Sequence, residues 1–98
     1  LYIIFSVFCS LYGFQIYAQN TELEQRLKQA TEAEQVFIYD EYAQKYRENA
    51  PKKSLEYAEK GLLLAHKVKD TASIAYLYTF IGVLYKSMGN YEKALEYY

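Results

Sequence analysis

Few residues in this chain have side chains suited to catalysis or metal binding. There is one cysteine, Cys9, and one histidine, His66. A structural zinc site usually takes four ligands, which one Cys and one His do not supply. A single thiol also forms no internal disulfide. His66 lies between Ala65 and Lys67, with no Ser, Cys or Asp at a spacing suited to a triad, so it reads as a surface or seam residue of a helix. The acidic pairs Glu22/Glu24 and Glu32/Glu34 fit first-turn charges that favour the positive end of a helix dipole. Asp40-Glu41 suggests a metal site by residue type alone, but Glu56, Glu59 and Lys60 nearby make a solvated face the better reading. No glycine-rich phosphate loop is present. The expectation is a chain with no catalytic residue, no metal site and no cofactor.

Charge and composition narrow the classes further. Across 98 residues, 11 Lys and Arg stand against 12 Asp and Glu, with no long run of one sign. Nucleic-acid binding draws most of its affinity from neutralised phosphates and needs a dense basic patch, which is missing here. Tyrosine occurs 13 times and tryptophan not at all. A tyrosine ring packs while its hydroxyl reaches water or a carbonyl, which suits half-buried seams between helices.

Leu1 to Ala18 carries no charge, and the first charged residue is Glu22. The stretch is apolar with Ser6, Ser10 and Gly13 as interruptions. It ends at Ile16-Tyr17-Ala18 before Gln19-Asn20, the pattern of a signal-peptidase site, so residues 1–18 are expected to be a signal peptide cut after Ala18. A retained anchor is the alternative, because about eighteen apolar residues nearly span a bilayer. Phe8 precedes Cys9 where a lipoprotein signal would put a small residue. A buried core helix would need protein on every side, more than so small a domain supplies. The expected location is outside the cytoplasm, periplasmic or membrane-associated. The chain does not begin with Met and stops at Tyr97-Tyr98 within a helical pattern, so it is read as a fragment of a longer protein.

From residue 19 onward, apolar residues recur every three or four positions, which is the helical period. Thr21-Glu22-Leu23-Glu24 and Thr31-Glu32-Ala33-Glu34 fit capping boxes. Pro51 suits a first helical turn. Asp70-Thr71 offers a cap, and Gly89-Asn90 ends one helix and opens another. The spacing predicts a lead helix over 21–29 within a segment 19–31, then helices near 32–48, 51–69, 71–88 and 90–98. The short loops predict antiparallel neighbours. Two helix pairs result, 32–70 and 71–98, the second incomplete.

The pairs repeat one another. Tyr39, Tyr42, Ala43 and Tyr46 share their spacing with Tyr78, Ile81, Gly82 and Tyr85, at an offset of 39 residues. Lys53-Ser54-Leu55-Glu56-Tyr57 matches Lys93-Ala94-Leu95-Glu96-Tyr97 at an offset of 40. A fixed period in this range signals stacked helix pairs. Tyr78-x-x-Ile81-Gly82-x-x-Tyr85, followed by Gly89-x-Tyr91-x-x-Ala94-x-x-x-Tyr98, resembles the first two-thirds of a tetratricopeptide repeat. The first repeat departs from the family pattern, with Ala43 for the usual Gly and Asn49-Ala50-Pro51 in the turn. Its second helix reads in two registers, Ser54-Ala58-Gly61 or Ala58-Leu62-Ala65. The resemblance covers roughly residues 35–98.

The resemblance implies an all-α fold of antiparallel helix-turn-helix pairs stacked as an α-solenoid. Tyr39, Tyr42, Ala43, Tyr46, Tyr78, Ile81, Gly82, Tyr85, Ala94 and Tyr98 would pack the repeats. It implies a scaffold that binds a protein or peptide, or other domains of its own protein, on the concave face. Carried over by position, that face would present Asp40, Gln44, Arg47, Thr79, Val83 and Lys86. A narrower alternative is the extracytoplasmic sensory region of a bacterial two-component sensor histidine kinase, or of a similar protein joined to a transcription regulator, which this exported helix-pair style also resembles.

Overall fold

The computed structural model describes residues 22–98. The expected signal peptide, its cut after Ala18, Cys9 and the Thr21 cap lie outside the described residues. Those described are all-helical: α1 (22–29), α2 (Glu32–Tyr46), α3 (Pro51–Lys67), α4 (Thr71–Ser87) and α5 (Tyr91–Tyr97). None of these helices is long and apolar enough to cross a membrane.

Local chemistry sets each boundary. The Thr31 hydroxyl accepts from the Glu34 N–H at 3.2 Å and opens α2. Pro51 takes the first position of α3, where an N–H has no helical partner in any case. The Asp70 carboxylate accepts from the Ser73 N–H (3.2 Å) and hydroxyl (2.6 Å) and opens α4. Those bonds hold its pKa below the ordinary value. The Asn90 side chain accepts from the Lys93 N–H at 3.2 Å and opens α5.

The ends of α3 and α4 are built alike. The Asp70 N–H reaches back to the Ala65 carbonyl at 3.0 Å, and the Asn90 N–H to the Tyr85 carbonyl at 2.8 Å. This closure needs a left-handed residue between helix and cap. Gly89 fills that role at φ 81°, whereas at the end of α3 it falls to Lys69, at φ 59°. The helix expected to run to 69 therefore stops at Lys67 and turns through a strained lysine.

From α2 to α5 the helices pack serially, α2 on α3, α3 on α4 and α4 on α5. Contacts along α2 and α3 show that they run back along each other. Ser54 meets Ala43 near the turn, and Glu32 meets Lys67 at the far end, with N···O 2.6 Å. On α3, Ser54, Ala58, Gly61 and Ala65 are all buried and Leu62 is half-buried. The two registers read from the sequence thus share a single stripe of small residues. Facing it, Val36, Ala43, Leu77, Phe80, Ile81 and Leu84 complete the main core.

Small residues let the backbones approach. A Cβ on Gly82 would stand 3.3 Å from the Ala94 carbonyl oxygen, and one on Gly61 would stand 3.3 Å from the Tyr39 Cβ. At the first joint, Ser54 donates its buried hydroxyl to the Ala43 carbonyl. That bond satisfies a polar group shut away from water. At the second joint the matching pair is Gly82 and Ala94, and no such bond is needed.

Around each close approach lies a ring of tyrosines. Tyr57 of α3 stacks on Tyr46 at 5.9 Å and on Tyr39 at 6.3 Å. Tyr97 of α5 stacks on Tyr85 at 5.5 Å and lies 5.9 Å from Tyr78. Lys53 sits 4.3 Å from the Tyr46 ring centre, and Lys93 sits 5.3 Å from that of Tyr85. The spacing noted in the sequence therefore recurs as geometry, down to a lysine over the same ring.

α1 lies along another side of α2. Gln35 donates to the Leu27 carbonyl at 2.8 Å, and Arg26 pairs with Glu41 while its guanidinium lies 5.9 Å from the Tyr42 ring centre. Ile38 and Tyr42, on that side of α2, are buried.

Candidate functional site

α2 and α4 are separated in sequence by α3, yet both line one side of the molecule. The open groove between them has a volume of about 490 Å3. Phe37, Asp40 and Gln44 come from α2, and Ala72, Ser73 and Tyr76 from α4; Val36 and Leu77 close its floor against the core. Phe37 is 64% exposed and Tyr76 45% exposed, so two large rings stand open to solvent there.

One hydrogen-bonded bridge crosses the groove. The Gln44 Nε2 donates to the Tyr76 hydroxyl at 2.6 Å and lies 3.3 and 3.4 Å from the two Asp40 carboxylate oxygens. Loss of water around Asp40 raises its pKa, and hydrogen bonds from Gln44 and Tyr76 only partly oppose the rise. Burial also raises the Tyr76 phenol. The Asp40 charge adds to that rise, and Arg47 draws it back. The second carboxylate lining the groove, Asp70, is the α4 cap.

Six residues were placed on this side by position. Asp40 and Gln44 line the groove. Arg47 is exposed in the turn after α2 and reaches the groove through its charge on Tyr76. Thr79 is exposed, and its hydroxyl donates to the Ala75 carbonyl of its own helix at 3.1 Å. Val83 is half-buried and Lys86 is exposed near the end of α4; neither is part of the groove lining. Phe37 and Tyr76 were not anticipated. Each lies three residues before a named position, Asp40 or Thr79, so extending the same helical face by one turn would have found both.

The packing set is distributed as follows. Tyr42, Ala43, Ile81, Gly82 and Ala94 are buried, and Tyr39, Tyr46 and Tyr85 are half-buried. Tyr78 is exposed at one edge, where its hydroxyl lies 3.2 Å from His66 Nε2. Tyr98 touches the Gly82 position with one ring carbon but stays 63% exposed.

Among the described residues, no group of three or more His, Cys, Asp or Glu is placed to hold a metal ion. Fold and groove together define an all-α protein of serially packed helices with an open, aromatic-walled cleft. Comparison with family models, curated proteins and solved structures returned no match.

Proposed function

We propose that this chain is a protein-interaction module of the tetratricopeptide type, and that the cleft between α2 and α4 holds a segment of a partner protein. The observation that carries this reading is the recurrence of one joint. The Ala43–Ser54 approach with its Tyr39/Tyr46/Tyr57 stack and Lys53 reappears as Gly82–Ala94 with Tyr78/Tyr85/Tyr97 and Lys93. Helix pairs repeated in this way turn their first helices to a common side, and a surface built from alternate helices is long and open. Such a surface suits a peptide or helix better than a small molecule, which sites usually enclose.

The exposed rings of Phe37 and Tyr76 support the same reading. Aromatic residues are enriched where interfaces draw their binding energy. The test is selection of binding peptides from a random displayed library on the full chain, followed by mapping of amide shifts. Peptides should perturb α2 and α4 around Phe37, Asp40, Gln44 and Tyr76, and Tyr76→Ala should weaken them about tenfold or more, as expected for an aromatic interface anchor. Selected peptides that map to the α3 and α5 surface instead would overturn the assignment.

A further inference from the structure

The charge of the cleft is one-sided. Its lining holds two carboxylates, Asp40 and Asp70, and no lysine or arginine. The ion pairs among the described residues are Arg26–Glu41 and Lys67–Glu32, and neither involves these carboxylates. Arg47 stands at one end and acts on Tyr76. Asp70 is already occupied by Ser73. Asp40 has only the neutral amide of Gln44 at long range and the Tyr76 phenol, and it is the carboxylate that has lost water without gaining a cation.

Two aromatic residues, Phe37 and Tyr76, line the cleft with Asp40. A cation placed over a tyrosine or phenylalanine ring is attracted by its electron-rich face, and more strongly once partly desolvated. The alkyl stem of a lysine or arginine also packs on such rings while its head reaches an acidic group. Val36 and Leu77 in the floor and Ala72 in the lining add apolar surface.

We propose that the cleft takes a basic side chain, lysine or arginine, from an apolar-flanked segment of a partner protein, with the cation set between the Asp40 carboxylate and the rings of Phe37 and Tyr76. This rests on reading the cleft as an interaction surface and adds the chemistry of what enters it. The chain's own leading residues 1–21 contain no lysine or arginine, so they do not supply the cation. Arg26 on α1 is engaged with Glu41.

The test uses four fluorescent seven-residue peptides, identical except for a central Lys, Arg, Gln or Glu between leucines. Binding to the full chain is read by anisotropy and by amide shifts. The Lys and Arg peptides should bind about tenfold tighter than the Gln peptide, the scale of one partly screened charge pair plus one cation–ring contact. The Glu peptide should bind more weakly than either. Asp40→Asn should bring the Lys peptide to within about threefold of the Gln peptide, since it removes charge and little else. Circular dichroism of the variant confirms that it is folded. Equal binding of all four peptides, with shifts in α2 and α4, would overturn the basic-side-chain proposal and leave the interaction surface standing. No shift in α2 or α4 with any peptide would overturn both. Groove shifts that follow the chain's own concentration, with a dimer in sedimentation, would place a second copy in the cleft and overturn the proposal.

Discussion

Replacing Gly82 with leucine tests how closely α4 and α5 approach. A Cβ at this position would stand 3.3 Å from the Ala94 carbonyl oxygen, 3.3 Å from Tyr98 Cε1 and 3.4 Å from Tyr97 Cβ. The first of these is backbone and moves only with α5. A methyl group therefore needs a shift of a few tenths of an ångström. Against that stands the gain from removing a helical glycine, about 1 kcal/mol. Gly82→Ala should consequently change stability by less than about 1 kcal/mol in either direction. Leucine brings three further carbons into the same space, where overpacking costs about 1–3 kcal/mol after relaxation. The cost has a ceiling, because α5 is only seven residues long and can lift away. At that point the loss equals whatever its docking contributed. A net loss near 2 kcal/mol would lower the melting temperature of a chain this size by about 10 °C. Thermal melts by circular dichroism give that number, and hydrogen exchange of the amides in 93–97 tells undocking from global loss. A leucine variant that melts within about 2 °C of the parent, with α5 equally protected, would refute this close approach of α4 and α5.

Three other outcomes follow from the joints and the cleft. Lys69→Gly should raise stability by about 0.5–1 kcal/mol in a denaturant titration, because it relieves a left-handed lysine at the end of α3; a loss would mean the turn is not strained. Tyr57→Ala should cost about 3 kcal/mol, since its ring packs against Tyr39, Tyr42 and Tyr46, while Tyr57→Phe should cost less than about 0.5 kcal/mol. Asp40 has its pKa raised by burial, so its contribution to stability is fully present below the unfolded carboxylate pKa and is lost as pH rises through the folded one. Asp40→Asn should therefore melt above the parent at pH 7, and the gap should close on acidification below the carboxylate range. A gap that widens in acid would reverse the sign and refute the desolvation argument.

Much of the architecture could be read in advance because local rules and long-range packing agree here. Thr31, Pro51, Asp70 and Asn90 each open a helix, and each is a residue type whose backbone or side-chain chemistry favours that position. The observed helices lie within two residues of the expected bounds at every end within the described residues. Lys69 was not legible, because a left-handed turn is normally signalled by glycine and nothing in a lysine announces it. The cleft was legible only in part. Tyr76 and Tyr78 are the same residue type two positions apart, yet helical rotation sends Tyr76 to the open side and Tyr78 toward Tyr97. The Gln44–Tyr76 bridge spans 32 residues of sequence and has no local pattern at all.

α2 and α4 each pack on α3, and across the cleft they share the Gln44–Tyr76 bridge over a floor of Val36 and Leu77, so the α2/α3 and α3/α4 joints stand in series. A guest seated in the cleft would grip both outer arms at once and stop the two from flexing independently. The stiffening would be felt on the far side of the molecule, in α3, which the guest never touches. Slower exchange of the α3 amides on binding would be its signature.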